Sequence, residues 1–135
     1  MPRDVPVGNG SLLVCFDQHY QIRELYWPYV GLENHVAGYT HRVGVWVEGR
    51  LSWLSDDQWV RDLRYQPSTL VTDVHLFHPD LELTLSFADA VDFHENAFIR
   101  RCTITNHADR EREVRLLCHH DFRIMVGNRT CVRVR

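Results

Sequence analysis

No stretch of this 135-residue chain approaches the ~20 consecutive apolar residues that a membrane-spanning helix needs, and Met1-Pro2-Arg3-Asp4 opens without the apolar core of a signal peptide. A cytoplasmic protein with no membrane partner is expected. The four cysteines, Cys15, Cys102, Cys118 and Cys131, contain no C-x-x-C pair, which argues against a zinc knuckle and against a dense disulfide framework. Three of them fall in strand-like runs and read as small buried thiols. Basic charge is not in excess either: 15 basic residues face 18 acidic ones, for a net charge of -3. The densest basic groups, Arg100-Arg101 and Arg110, Arg112, Arg115, are interleaved with acids, so no nucleic-acid partner is expected.

Helical periodicity is also scarce, and what takes its place is alternation. With 44% apolar and 24% charged residues the chain has the composition of one folded domain, of a size that buries roughly 68–70% of its unfolded surface. Leu81, Leu83, Leu85 and Phe87 alternate with Glu82, Thr84, Ser86 and Ala88, as a strand with one buried face requires. Val114, Leu116, Cys118, His120 and Phe122 repeat the pattern and predict one continuous strand. Further strands are expected over 11–16, 22–25, 43–48, 51–54, 69–77 and 97–105. Glu48-Gly49-Arg50, His78-Pro79-Asp80 and Asn106-His107-Ala108-Asp109 have the chemistry of hairpin turns, and most linkers are too short for parallel crossovers. The expected fold is all-β, an antiparallel β-sandwich.

The segment Tyr26–Arg42 is the exception, a long connection without alternation. Its first ten residues, Tyr26-Trp27-Pro28-Tyr29-Val30-Gly31-Leu32-Glu33-Asn34-His35, gather three aromatics, a carboxylate, an amide and an imidazole. Long loops on a rigid scaffold tend to carry function, and flat aromatic faces beside hydrogen-bonding groups suit contact with a sugar or another domain. Tyr26, Trp27, Tyr29, Glu33, Asn34 and His35 are therefore the candidate site.

Other chemistry is weaker. His119-His120-Asp121 has ligand types that suit zinc or iron, but strand alternation puts His119 and Asp121 on one face and His120 on the other, so a third ligand would have to come from elsewhere. Neither a metal nor another cofactor is expected. Gly8-Asn9-Gly10 lacks the preceding strand and following helix of a dinucleotide fingerprint and reads as a turn. Ser11 and Ser55 have no G-x-S-x-G elbow. His75 and His78 are expected at the surface or capping a turn, and His41 in a loop. Trp46 and Trp53 flank the Glu48-Gly49-Arg50 turn and read as sheet packing, with their cross-strand relation set by which two residues form the loop.

Pro6-Val7-Gly8-Asn9-Gly10-Ser11-Leu12-Leu13-Val14, then Ile22-Arg23-Glu24-Leu25-Tyr26-Trp27-Pro28, then Gly44-Val45-Trp46-Val47-Glu48-Gly49 resemble, in order and spacing, the N-terminal domain of prokaryotic glycoside hydrolase family 15, the glucoamylase-like proteins. Asp89-Ala90-Val91-Asp92-Phe93, Ile99-Arg100-Arg101, Glu113–Leu116 and His120-Asp121-Phe122 extend the resemblance over about residues 3 to 128. It implies a β-supersandwich, followed in relatives by an (α/α)6 barrel that hydrolyses α-glucosidic bonds. Such hydrolysis uses two carboxyl groups, set roughly 6.5–9.5 Å apart in inverting enzymes. In the family both belong to the barrel, and none of Glu24, Glu33, Glu48, Glu82, Glu95, Glu111 or Glu113 matches them, so no catalytic residue is expected here.

The resemblance thus implies an accessory domain over 1–128 that braces the barrel and helps shape its entrance, with α-glucan or an oligosaccharide as partner through the full-length protein. Residues 129–135 depart from the pattern as a divergent tail, and the sandwich is expected to be incomplete at its C-terminus, with self-association through exposed strand edges as a hazard. Two other readings are a stand-alone carbohydrate-binding module holding α-glucan on Trp27 and Tyr29, and a small metal-dependent enzyme using His119, Asp121 and a third ligand.

Overall fold

The computed structural model describes residues 5–39 and 41–124, and the backbone of 125–126 and 130–134. Among the described residues every regular element is a strand: β1 (Pro6–Gly8), β2 (Leu13–Phe16), β3 (Ile22–Tyr26), β4 (Arg42–Val47), β5 (Arg50–Trp53), β6 (Val60–Tyr65), β7 (Thr72–His78), β8 (Leu83–Val91), β9 (Phe98–Asn106), β10 (Val114–His119), β11 (Phe122–Val126) and β12 (Thr130–Val134). They pair antiparallel in the orders β1-β2-β3, β10-β4-β5, β6-β7-β8-β9 and β11-β12. The expected all-β antiparallel fold is what forms.

Period-two alternation builds the core. Val7, Val14 and Phe16 from the first sheet, Val43, Val45 and Val47 from the second, and Val74, Leu76, Leu83, Leu85 and Phe87 from the third meet in one buried cluster. Each such side chain contributes about 1.5–3 kcal/mol when removed from water. The β4–β5 loop is Glu48-Gly49, both at positive φ (50° and 80°), the two-residue turn whose twist matches its flanking strands. That register sets Trp46 opposite Leu51 and Trp53 opposite Gly44, where the Trp53 ring lies 2.8 Å from the place a Cβ would occupy. The two tryptophans are thus diagonal neighbours in sheet packing, each with a guanidinium over its ring, Arg115 on Trp46 and Arg42 on Trp53.

Several expectations fail, each for a physical reason. The strand expected over 114–122 breaks after His119: β10 pairs with β4, while β11 begins at Phe122 and pairs with β12. The Asn106–Asp109 turn does not make a hairpin, because β9 and β10 belong to different sheets. A strand, β1, does precede Gly8-Asn9-Gly10, yet a turn follows it: the Asn9 carboxamide oxygen accepts from the backbone N–H groups of Ser11 and Leu12 at 3.0 and 2.9 Å. Strand β6 was hidden by three charges in six residues; its inward Arg61 donates to the Leu54 and Asp56 carbonyls. Cys15 and Cys102 are only half-buried, Cys102 packing against the core, and Cys118 is exposed, so none of these three is a fully buried thiol; the Cys131 side chain and residues 129 and 135 of the tail lie outside the described residues.

A polar bolt crosses this core. Asp89 of β8, fully buried, accepts from the Tyr20 hydroxyl, from Thr72 Oγ1 at 3.3 Å and from Arg100 Nε at 2.7 Å. Burial holds Tyr20 far above its ordinary pKa, so it stays protonated and donates. The Arg100 guanidinium lies 5.0–5.4 Å from the ring centroids of Phe16, Tyr20, Phe87 and Phe98, an aromatic box around a buried cation.

Three histidines give stability a pH dependence. His41 is buried rather than in an open loop, and His78 is buried while capping its turn, its Nδ1 accepting from the Leu81 N–H at 3.3 Å; desolvation pushes both, and the more exposed His120, below the ordinary imidazole pKa. Below about pH 6.5 the unfolded chain therefore binds more protons than the folded one, and stability rises with pH. We expect full stability from these groups above about pH 7 and a falling urea midpoint as pH drops from 7 to 5. A midpoint that holds or rises over that interval would show that these imidazoles do not govern the acid limb.

Candidate functional site

The site is built on the β1-β2-β3 sheet. Val7, Val14 and Leu25 align across the strands and face the core; Pro6, Cys15 and Glu24, with Leu13 and Tyr26, align on the other face. Tyr26 ends β3, and the chain then leaves the sheet through Trp27 and a cis peptide bond at Pro28, turns at Gly31 (φ 89°), and returns at Asn34, which bridges back to Tyr26.

The six candidate residues separate into two roles. Asn34 and His35 close the loop. The Asn34 carboxamide oxygen accepts from the backbone N–H groups of Leu25, Val36 and Ala37 at 3.1–3.4 Å, and the His35 backbone N–H donates to Leu25 at 2.7 Å. The buried His35 ring donates from Nε2 to the Trp27 carbonyl at 2.8 Å, and the His35 main-chain carbonyl accepts from the Arg123 backbone N–H at 2.8 Å, tying the loop to β11. With both stems held, the aromatic part is displayed: Trp27 is 45% exposed, Tyr29 63% and Leu32 69%. Tyr26 and Glu33 are half-buried at the loop's two ends.

Two grooves flank the loop. One, of about 400 Å³, is lined by Leu13, Cys15, Arg23, Glu24, Tyr26 and Val30. The other, of about 490 Å³, is lined by Leu25, Trp27, His35, Asn96, Phe122 and Ile124. Asn9 sets the rim of the second groove, donating to the Asp92 and Glu95 carbonyls at 2.9 and 3.1 Å and to Asn96 Oδ1 at 3.3 Å. His41 sets its wall: Nε2 donates to the Asp121 carbonyl at 2.9 Å, Nδ1 accepts from His120 Nδ1 at 3.2 Å, and both rings pack on Phe122. Arg23, Glu24, Asn96, Phe122 and Ile124 were not candidates from sequence, and the only early signal for them was adjacency of Arg23 and Glu24 to Tyr26.

The structure thus pairs His120, not His119, with a second imidazole, and Asp121 contributes a backbone carbonyl. Among the described residues no group of three or more His, Cys, Asp and Glu side chains is placed to hold a metal ion. Glu48 is held below the usual carboxylate range by its hydrogen bond from Arg110, Asp73 by that from Arg64, and Asp92 by the backbone N–H groups of Glu95 and His94. Proton donation to a leaving oxygen requires a shift the other way.

Over 118 residues the chain is 30% identical to an uncharacterized glycosyl hydrolase of Methanocaldococcus jannaschii. The chain is similar to part of a glycosyl hydrolase. That alignment takes in 87% of this chain and 18% of the hydrolase, so the chain spans less than a fifth of the relative it matches. No family model matches the chain, and no solved structure matches it. No helix of the described residues is long and apolar enough to cross a membrane.

Proposed function

We propose that this chain is the accessory β-domain of a glycoside hydrolase of the glucoamylase-like family 15 kind, acting on α-glucosidic bonds through a catalytic part that lies elsewhere. The observation that carries this reading is the asymmetry of the match: nearly the whole chain aligns to 18% of a glycosyl hydrolase. The role of the Tyr26–His35 loop is to brace the catalytic part and form one side of its substrate entrance. The apolar groove of Trp27, Phe122 and Ile124 suits a protein neighbour, and the exposed Tyr29 and Leu32 suit insertion between domains.

The core-side faces of two edge strands support a missing neighbour. Leu116 aligns with buried Val45 and Ile104 with buried Leu85, yet Leu116 is 38% and Ile104 36% exposed. In the whole hydrolase these faces are covered; in the isolated chain the same edges favour self-association.

A chimera tests the reading, with this chain in place of the matching segment of the Methanocaldococcus hydrolase and sugar release measured on a panel of α-glucans. The isolated chain should release nothing. The chimera should recover activity that deletion of the segment abolishes, and Trp27→Ala with Tyr29→Ala should lower its rate about tenfold, on the scale of anchor residues at interfaces. Glucose release by the isolated chain, lost on substituting one of its own carboxylates, would overturn the proposal.

A further inference from the structure

The groove beside Tyr26 has a chemistry distinct from that of its neighbour. Cross-strand register lays its floor: Leu13 lies opposite Tyr26, and Cys15 opposite Glu24, so an aromatic ring, an aliphatic side chain and a carboxylate share the outward face of the sheet. Regular alternation would then send Arg23 to the core face. It does not, because the register shifts between Cys15 and Phe16: Cys15 pairs with Glu24 and Phe16 with Ile22, leaving Arg23 as the extra residue of a β-bulge. Bulges re-aim side chains, and this one brings Arg23 to line the same groove as Glu24. Val30 and Gly31 of the loop form the facing wall.

We propose that this groove is a carbohydrate subsite that takes a short neutral oligosaccharide, with Tyr26 and Leu13 against the C–H face of a sugar ring and Arg23 and Glu24 on its hydroxyls. It rests on the glycoside hydrolase reading for the presence of a glycan and on the groove for everything else. One cationic and one anionic residue line the groove, so an anionic ligand meets Glu24 and a cationic ligand meets Arg23. A polyhydroxylated neutral ligand uses both, since its hydroxyls donate to the carboxylate and accept from the guanidinium. The volume, about 400 Å³, lies within the roughly 300–1,000 Å³ of small-molecule sites. The second groove, walled by Leu25, Phe122 and Ile124, offers a sugar few hydroxyl partners.

The test is calorimetric titration of the purified chain with maltotriose and with cellotriose, with binding mapped by amide NMR shifts. Saturable binding of at least one trisaccharide is expected, with shifts confined to residues around 13–15 and 23–31. Tyr26→Ala should weaken it at least tenfold and Glu24→Gln several-fold, while Leu70→Ala, an exposed apolar side chain on the β6–β7 turn, should leave it within twofold. Glu24→Gln preserves shape and backbone pairing, so it remains informative if Tyr26→Ala perturbs folding. No saturable heat with either sugar overturns the subsite, as does binding that Glu24→Gln leaves unchanged. A chain that binds neither sugar while its chimera is active removes the subsite alone; a sugar-binding chain whose chimera is inactive removes the accessory role alone.

Discussion

Asp89→Ala should cost about 3–5 kcal/mol of folding stability, the range for leaving one partner of a buried ion pair uncompensated. The carboxylate is fully buried and serves three donors from three different segments: Tyr20 from the β2–β3 turn, Thr72 from β7 and Arg100 from β9. Its removal strands Arg100 inside its aromatic box, where the Nη2 atom has no hydrogen-bond partner among the described residues. For a domain of this size the loss corresponds to a fall of roughly 10–20 °C in Tm. A paired replacement separates charge stranding from lost packing. Asp89→Leu with Arg100→Met removes donor and acceptor together and should recover most of the stability, since an apolar pair of similar volume can match a buried ion pair. A single Asp89→Ala variant within 1 kcal/mol of the parent, or a double variant no better than the single, would contradict the assigned role of the bolt.

What could be read from sequence follows from where one-sided burial acts. Strand β8 was legible because Leu83, Leu85 and Phe87 all face the core while Thr84 and Ser86 do not, so burial is written at period two. Strand β6 was not, because Arg61 faces inward by extending to main-chain carbonyls, which residue type does not reveal. The break between β10 and β11 leaves no glycine or proline behind; the His120 ring turns toward His41, 79 positions away in sequence, and only tertiary structure contains that contact. A polar linker such as Asn106–Asp109 looks the same whether the chain folds back in a hairpin or crosses to another sheet. There Arg112 ties the linker to the β7–β8 turn, its guanidinium donating to the Leu81 carbonyl at 2.7 Å.

The long connection was legible as an exposed loop, and the part each residue plays in it was not. Aromatic crowding marked the loop, and Trp27 and Tyr29 are displayed on it. The polar residues chosen with them, Asn34 and His35, spend their hydrogen bonds on closing the loop, a role that depends on the return of the chain to β3. Sequence alone gives no reason to group Arg23 with Glu24, because adjacent strand residues face opposite ways by default, and the bulge that unites them is a property of pairing between two strands.

Phe16→Ala should be the other large loss, about 3–5 kcal/mol, as for buried aromatic truncations generally. Phe16 is fully buried, stacks on Tyr20 at 5.0 Å, packs on Phe98 at 6.1 Å and carries one wall of the Arg100 box at 5.3 Å. It also sits opposite the bulge of β3, directly beyond the Cys15–Glu24 pair that floors the groove beside Tyr26. The cavity left by an alanine would therefore loosen the β2–β3 pairing that holds Arg23 and Glu24 on one face, besides lowering global stability. Urea unfolding gives the global loss, and amide exchange should show the extra opening at β2 and β3 relative to β7 and β8. Because Phe16 and Asp89 share Tyr20 and Arg100 as partners, the double variant should fall short of the sum of the singles by more than the ~0.5 kcal/mol that independent sites allow. Strict additivity, or exchange that rises evenly across all sheets, would mean that Phe16 acts as core filling alone and that the bulge is held by something other than the aromatic box.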